Sequence, residues 1–228
     1  MSLKKNLANT LTLINLTLGL TAIFIGLISS NIILSSWLIL AGVLFDFLDG
    51  KVARFFQIDT EYGKQLDSFA DMVTFGIGPS VIIFILISEQ DVNLAFIAFI
   101  IPIFSALRLT KYNIDSKQGN YFVGLTTTTN AILFSSIPLI REYNDIEILN
   151  NLINNKYFLI IITIIFSYLL VSRIETFSLK FNNSNKFGKK IKIIFLILII
   201  ILALSLKFLS IPIIIFFYML LSIIFKPK

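Results

Sequence analysis

The sequence predicts an all-α fold: a polytopic integral membrane helix bundle with about eight transmembrane helices, in a single domain over residues 1–228. Hydrophobic residues make up 57% of the chain, charged residues 14%, and the mean hydropathy is +0.90. A typical soluble domain has about 25% charged residues. Apolar runs recur from one end of the chain to the other, with only short polar loops between them. This pattern indicates a membrane protein rather than one large soluble core.

Eight apolar stretches are the basis of the predicted helix count. Each is close to the roughly 20 residues that a helix needs to cross the hydrocarbon core of a bilayer. The first is interpreted as a membrane helix and not as a signal peptide, because "LISSN" is a poor cleavage site. Lys207 and Ser210 indicate a tight turn between the last two. In chain order the stretches cover 8–29, 32–56, 65–88, 93–113, 122–140, 157–172, 191–206 and 209–225.

The basic residues predict which ends of the helices face the cytoplasm. With the N-terminus inside and the spans alternating, the cytoplasmic side receives all 19 basic residues except Arg141, Lys156 and Lys207. This bias follows the positive-inside rule and predicts a multi-pass protein of the cell membrane with both termini in the cytoplasm. Topology and attraction to anionic lipid headgroups then account for most of the net charge of +6, so no nucleic-acid partner is expected.

The chain contains neither cysteine nor histidine. Disulfides, thiolate catalysis and thiolate or imidazole metal ligands are therefore excluded. Any metal must be bound by oxygen ligands, which favours magnesium, manganese or calcium. Acid–base chemistry is left to Asp, Glu, Lys or Tyr.

Four aspartates interrupt the second and third apolar segments. Asp46 and Asp49 share one helix face near the predicted cytoplasmic end of the second segment, and Asp67 and Asp71 share one face near the start of the third. Four carboxylates brought together would repel one another, and each is costly in lipid. Two divalent cations between them would offset that charge and suit phosphoryl transfer. The alternative is that the aspartates only cap helices or form hydrogen bonds at the headgroup level.

The aspartates belong to a longer pattern of eight specified residues that includes small and basic positions. The pattern is Asp46-x2-Asp49-Gly50-x2-Ala53-Arg54-x8-Gly63-x3-Asp67-x3-Asp71. It resembles the signature of the CDP-alcohol phosphatidyltransferases, with no position missing. Members of this family use an alcohol to displace CMP from a CDP-linked lipid.

The resemblance implies a role for each residue of the pattern. The four aspartates would bind two divalent ions, Mn²⁺ or Mg²⁺, and Asp71 would also be the catalytic base that deprotonates the alcohol. The family resemblance further implies that the protein forms a homodimer. The CDP site would be lined by four motif residues and two from the first helix, namely Gly50, Ala53, Arg54, Gly63, Asn9 and Thr12.

Several stretches outside the motif are similar to one branch of the family, the phosphatidylserine synthases. Ser68 occupies a position where relatives that use glycerol phosphate tend to have proline, although Ala8 replaces a proline that is usual in the serine branch. This resemblance covers about residues 9–131 and implies CDP-diacylglycerol and L-serine as substrates. The stretches are "NTLTLINLTLGLTAI" at 9–23, "GKQLDSFADMVTFGIGP" at 63–79, "ALRLTKYNI" at 106–114 and "YFVGLTTTTNA" at 121–131.

Three residues are candidates for binding serine or the transferred phosphate. Arg108 offers paired guanidinium donors to a carboxylate or phosphate, but a snorkelling anchor at the membrane surface is an equal alternative. Lys111 is a second basic candidate with the same anchoring alternative. Thr128, in the run "TTTT" at 126–129, suits either a polar pocket or close helix packing.

Other functions remain open at this point. Within the family, the alternatives are a phosphatidylglycerophosphate, phosphatidylinositol-type, cardiolipin or archaetidylserine synthase. Outside it, an aspartate-rich prenyltransferase would release pyrophosphate instead of CMP. A cation transporter would place its carboxylates near the bilayer midplane, often within inverted repeats. The four aspartates lie toward one end of their segments, and no internal repeat is visible.

Overall fold

The computed structural model describes residues 2–57, 60–114, 122–176 and 198–224, and these are almost entirely helical. Two long helices open the chain, α1 (Ser2–Ser29) and α2 (Ile32–Phe55). The chain turns between them at Ser30, which has a φ of 51°. Asn31 then caps α2 by accepting a hydrogen bond from the backbone amide of Leu34 at 3.0 Å, so α1 and α2 form an antiparallel hairpin.

Helix α3 (Glu61–Ser88) is the central element of the bundle. In the most apolar part of α3, 67% of the residues are buried. The corresponding fraction is 28% in both α1 and α2. Thr60 caps its start by accepting from the amide of Gly63 at 3.1 Å. A π-helical turn, Met72–Ile77, follows Asp71 directly. Pro79 comes just after this turn and has no amide hydrogen to donate, which favours a break in the regular α-helical hydrogen bonding.

The remaining helices complete the bundle around α3. Helix α4 contains a 3₁₀ turn at Phe96–Phe99, and α5 includes Pro138. A 3₁₀ turn at Lys207–Leu209, with Lys207 at a φ of 48°, separates helical residues 198–206 from the last helix. The elements are α4 (Val92–Ile114), α5 (Thr127–Tyr143), α6 (Glu147–Ile153), α7 (Lys156–Val171) and α8 (Ser210–Ile224).

A short antiparallel strand pair is the only β-structure among the described residues. Strand β1 (Phe122–Val123) pairs with β2 (Glu175–Thr176). Gly124 follows β1 with a φ of 77°, a conformation that glycine adopts without strain. Its amide donates to the Ile174 carbonyl at 2.8 Å, and the amide of Leu125 donates to the Leu169 carbonyl at 2.9 Å. The segment before α5 is thereby attached to the end of α7.

Small residues allow α1, α2 and α3 to pack very closely. A Cβ atom on Gly42 would lie 2.7 Å from Thr74 Cγ2 and 2.9 Å from Asn15 Oδ1. Gly19 is equally close to Thr74, because a Cβ atom on Gly19 would lie 2.7 Å from Thr74 Cα. Thr74 Oγ1 donates to the Asn15 carbonyl at 3.0 Å. Small residues at helix contacts are typical of membrane bundles, in which packing rather than water exclusion drives association.

The structure supports a polytopic helical membrane protein but not the predicted count of eight spans. Within the described residues, five helices are long and apolar enough to cross a membrane, and a sixth span results if the bent pair α6–α7 counts as one. Helix α5 has only 17 residues, about 25 Å at the α-helical rise. The predicted stretches at 191–206 and 209–225 correspond to a single candidate span, Leu198–Ser222; residues 191–197 and 225 lie outside the described part of the chain.

Candidate active site

Helices α2 and α3 bring the aspartates of the motif together. One carboxylate oxygen from each of Asp46, Asp49 and Asp67 lies within 4.8 Å of the others. Asp71 lies one helical turn after Asp67 on the same face of α3, beside this group. The helical spacing explains the arrangement, because i, i+3 on α2 and i, i+4 on α3 each place two aspartates on one helix face.

The donor set fits a hard divalent cation. Asp49 is only 6% exposed, and its Oδ2 accepts a hydrogen bond of 2.7 Å from the hydroxyl of Thr12 on α1. Oxygens Oδ1 of both Asp67 and Asp71 are buried and have no hydrogen-bond partner. Buried carboxylate oxygens without donors are costly. Magnesium and manganese prefer such ligands, so these residues could bind either ion.

Two adjoining cavities flank the carboxylates. The first, of about 230 Å³, lies on the α1 side of the cluster, and the second, of about 340 Å³, extends toward α5. Asp49, Gly50 and Asp67 line both. The first cavity is otherwise lined by Ala8, Asn9, Thr12, Ala53, Thr60, Gly63, Lys64 and Tyr112. The second is otherwise lined by Val43, Asp46, Phe47, Arg54 and Thr128.

All six residues predicted for the CDP site line one of these cavities. Asn9, Thr12, Ala53 and Gly63 line the first, Arg54 lines the second, and Gly50 lines both. The guanidinium of Arg54 lies over Gly50: a Cβ there would be 3.5 Å from both of its terminal nitrogens. A Cβ on Gly63 would lie 3.5 Å from Asn9 Oδ1, which shows how closely α1 approaches the start of α3.

The three candidates for serine or phosphate binding have different surroundings. Arg108 is 9% exposed, its Nε has no partner, and its charge acts on Asp71 across the interface between α3 and α4. It is therefore a buried residue and not a surface anchor. Thr128 lines the second cavity at the start of α5. Lys111 is exposed and lines neither cavity.

Three polar residues that line the first cavity were not assigned from the sequence. These are Thr60, which caps α3, Lys64, which follows the motif glycine, and Tyr112 near the end of α4. The available signal for Tyr112 was its i+4 spacing from Arg108, which places both on one helix face. For Lys64, the sequence indicated only a basic residue between Gly63 and Asp67 of the motif.

Comparison with known proteins agrees with this geometry. The model of the CDP-alcohol phosphatidyltransferase family matches residues 5–153, which include most of α1, all of α2 to α6 and every carboxylate of the cluster. The chain belongs to this family. The resemblance noted from the motif is thereby confirmed.

Several relatives of this CDP-alcohol phosphatidyltransferase have names that specify a substrate. A CDP-diacylglycerol–serine O-phosphatidyltransferase of Bacillus subtilis is 34% identical over 169 residues, which is 72% of this chain and 86% of the relative. A protein of the same name from Helicobacter pylori is 29% identical over 143 residues, 61% of this chain and 60% of the relative. An archaetidylserine synthase of Methanothermobacter thermautotrophicus is 31% identical over 144 residues, 62% and 61% of the two chains. The chain thus spans about 60% of the length of some of the relatives that it matches.

Proposed function

We propose that the protein transfers the phosphatidyl group of CDP-diacylglycerol to L-serine, giving phosphatidylserine and CMP. The observation that carries the proposal is the group of three carboxylates within 4.8 Å of one another, beside Asp71 and between two cavities. This arrangement supports a reaction at a diphosphate, where charge must be neutralised and the reacting groups aligned. The choice of serine is supported by the relatives named serine O-phosphatidyltransferases.

The two cavities suit the two ends of the CDP-linked lipid. The first has polar side chains from α1, α2, α3 and α4, among them Asn9, Lys64 and Tyr112, and suits a nucleotide. The second is bordered by Val43 and the half-exposed Phe47, so its edge is apolar enough for the glycerol backbone and acyl chains. The diphosphate would then lie at Asp49, Gly50 and Asp67, which line both cavities. Gly50 leaves room for it because glycine has no side chain.

The chain's own residues supply the acid–base chemistry of the transfer. The serine hydroxyl oxygen forms a bond to the phosphorus that carries the lipid, and the bond from that phosphorus to the CMP oxygen breaks. Asp71 accepts the hydroxyl proton on an oxygen that has no hydrogen-bond partner in the structure. Arg54 lies over Gly50 and donates to the diphosphate, holding the departing CMP in line.

Asp46, Asp49, Asp67 and Asp71 would bind the divalent cations, two Mn²⁺ or Mg²⁺ ions. When bound, these supply positive charge that stabilises the phosphoryl group during transfer. Without a cation the clustered carboxylates would repel the substrate. Thr12 keeps Asp49 in a fixed orientation through its hydrogen bond.

Arg108 is the residue that best suits the carboxylate of serine. It is buried on α4 and close enough to Asp71 to interact with its charge. An amino acid bound there would have its hydroxyl near the proposed base. Thr128 is a further candidate contact at the second cavity. Arg108 and Lys111 line neither cavity, and Lys111 has the weaker support because its side chain is exposed.

In the same proposal the site faces the cytoplasm of the cell, both termini lie on that side, and the protein acts as a homodimer in the plasma membrane. Among the described residues, Arg54, Lys64 and Lys111 support this orientation, because they lie at the same helix ends as the aspartates. Arg141 and Lys156, predicted for the opposite side, form ion pairs with Glu89 and Asp91 between helices.

The experiment that tests the function is CMP release from CDP-diacylglycerol by purified protein with Mn²⁺ or Mg²⁺. Serine, glycerol 3-phosphate and inositol phosphate are compared as acceptors. Release that depends on serine is the expected result. Release only with a phosphorylated alcohol would exclude the serine assignment while keeping the chemistry, and release of pyrophosphate from a prenyl diphosphate would exclude the whole proposal.

A second candidate is synthesis of archaetidylserine from a CDP-linked ether lipid. It is favoured by the relative named archaetidylserine synthase at 31% identity. The two activities share the serine acceptor and differ only in the lipid. Comparing CDP-diacylglycerol with its diether analogue at equal concentration, by the ratio of kcat/KM values, decides between them.

A further inference from the structure

A closed ring of hydrogen bonds joins the start of α3 to the end of α4 beside the first cavity. Lys64 Nζ donates to the backbone carbonyl of Asn113 at 3.3 Å. The side-chain amide of Asn113 donates to Ser68 Oγ at 2.8 Å. Ser68 Oγ in turn donates to the backbone carbonyl of Lys64 at 3.1 Å. The ring therefore starts and ends at Lys64, and it encloses the turn of α3 that carries Asp67.

The ring includes a basic residue that lines the first cavity. Among the described residues that line this cavity, Lys64 is the only basic one, and Asp49 and Asp67 line it as well. Its ammonium has three N–H donors, and the contact with Asn113 uses one of them. The other donors suit an anionic ligand in the cavity.

The position of Asn113 explains why it can hold a lysine. Asn113 is the penultimate described residue of α4, and its backbone carbonyl lies within hydrogen-bond distance of the Lys64 ammonium on the first turn of α3. A lysine side chain without such a contact would sample many rotamers. The contact with Asn113 restricts Lys64, and the bond to Ser68 fixes Asn113 against α3.

We propose that Lys64 binds the diphosphate of the CDP-linked substrate, and that Asn113 and Ser68 are positioning residues that hold its ammonium in the cavity. This inference rests on the proposed function, because it takes a nucleoside diphosphate as the ligand. Asn113 and Ser68 line neither cavity and act only through Lys64 and the turn that it begins.

The first test measures CDP binding to the purified full chain with Mn²⁺. Lys64→Gln is expected to raise the Kd for CDP about tenfold or more, as for the loss of a hydrogen bond to a charged group. Lys64→Arg keeps the charge and is expected to bind CDP more tightly than Lys64→Gln. Lys51→Gln is the matched control, because Lys51 is exposed, lines neither cavity and packs on Phe47. An unchanged Kd in Lys64→Gln overturns the proposal.

The second test separates positioning from a general structural role. Asn113→Ala and Ser68→Ala are expected to raise the Kd for CDP and the KM for CDP-diacylglycerol about threefold to tenfold, with kcat nearly unchanged. Ser68→Thr retains the hydroxyl and is expected to bind CDP normally. In the Lys64→Gln background, Asn113→Ala should have no further effect, because coupled residues are not additive. Additive effects, or an equal fall in kcat, would contradict the positioning role.

The binding assay also distinguishes failure of this inference from failure of the proposed function. Lys64-dependent CDP binding with no serine-dependent CMP release would leave the inference intact and exclude the serine reaction. Serine-dependent release with full activity in Lys64→Gln would exclude the inference alone. A chain that binds no CDP at all would exclude both.

Discussion

The hydroxyl of Thr12 donates a 2.7 Å hydrogen bond to Oδ2 of Asp49, which links the first helix to the carboxylate cluster on α2 and α3. Both residues are at least nine-tenths buried. The bond supplies a donor to a carboxylate that would otherwise be buried without one on this side. Helix α1 is therefore part of the site and does not serve only as an anchor.

Replacing Thr12 by valine should impair metal-dependent catalysis. The substitution keeps the shape of the side chain and removes the donor, and a hydrogen bond to a charged group contributes about 1.5–3 kcal/mol. We expect kcat/KM to fall about tenfold or more, with a higher Mn²⁺ concentration needed for half-maximal CMP release. Thr12→Ser is the control and should keep most of the activity. Equal metal titrations of Thr12→Val and the unchanged protein would contradict this role.

Replacing either of two glycines of α2 by alanine should have a different effect: Gly42→Ala should lower stability, and Gly50→Ala should lower activity. At Gly42 a Cβ would lie 2.7 Å from Thr74 Cγ2, so Gly42→Ala should destabilise the bundle by about 1–3 kcal/mol. At Gly50 the nearest atoms of Arg54 are 3.5 Å away, so Gly50→Ala should unfold at an unchanged temperature. It should still lower CMP release, because its methyl group enters both cavities. Thermal unfolding in detergent and the CMP assay, run on both variants, check the contrast.

Gly124→Ala should weaken the attachment between the α5 start and the end of α7. The backbone at 124 has a φ of 77°, and a Cβ would lie 2.6 Å from the Leu170 carbonyl oxygen. Strain of about 1–2 kcal/mol for the left-handed conformation adds to this clash. A lower unfolding temperature is expected, together with a loss of activity because Thr128 lies in the following turn. If Gly124→Ala unfolds at the same temperature as the unchanged protein, the close contact between Gly124 and the Leu170 carbonyl is contradicted.

The ion pair between Asp91 and Lys156 predicts a pH-dependent difference in stability. Lys156 Nζ donates to Asp91 Oδ2 at 3.1 Å, and this hydrogen bond lowers the pKa of Asp91. Because the folded-state pKa is lowered, the contribution is present above the unfolded value of about 3.9 and is lost as the pH falls through the lower folded value. Lys156→Met should thus unfold at a lower temperature than the unchanged protein at pH 7, and the two should converge in strong acid. A difference that is constant with pH would contradict the pairing.

The sequence was informative about features that depend on local periodicity. The spacing of Asp46 with Asp49, and of Asp67 with Asp71, indicated which helix faces carry carboxylates, because 3.6 residues per turn relates spacing to direction. The membrane character was equally predictable from the long apolar runs. The motif also identified the family, which the match over residues 5–153 confirms.

Features that depend on contacts between distant segments were not predictable in this way. Ser68 and Asn113 are 45 residues apart, and no periodic pattern connects them. The span count failed for a related reason, because hydropathy does not show whether a short helix such as α5 crosses the membrane or is enclosed by its neighbours. The π-helical turn Met72–Ile77 after Asp71 was likewise not predicted from the sequence.

The central claim is that Asp71 is the base of a serine-dependent transfer, and Asp71→Asn tests it most directly. Asparagine has nearly the same shape but cannot accept the proton, and general base catalysis typically contributes about 10²–10⁴-fold. We therefore expect serine-dependent CMP release from CDP-diacylglycerol to fall by at least about 100-fold, in a variant that unfolds at the same temperature as the unchanged protein. Release within a few-fold of the unchanged protein would contradict the account.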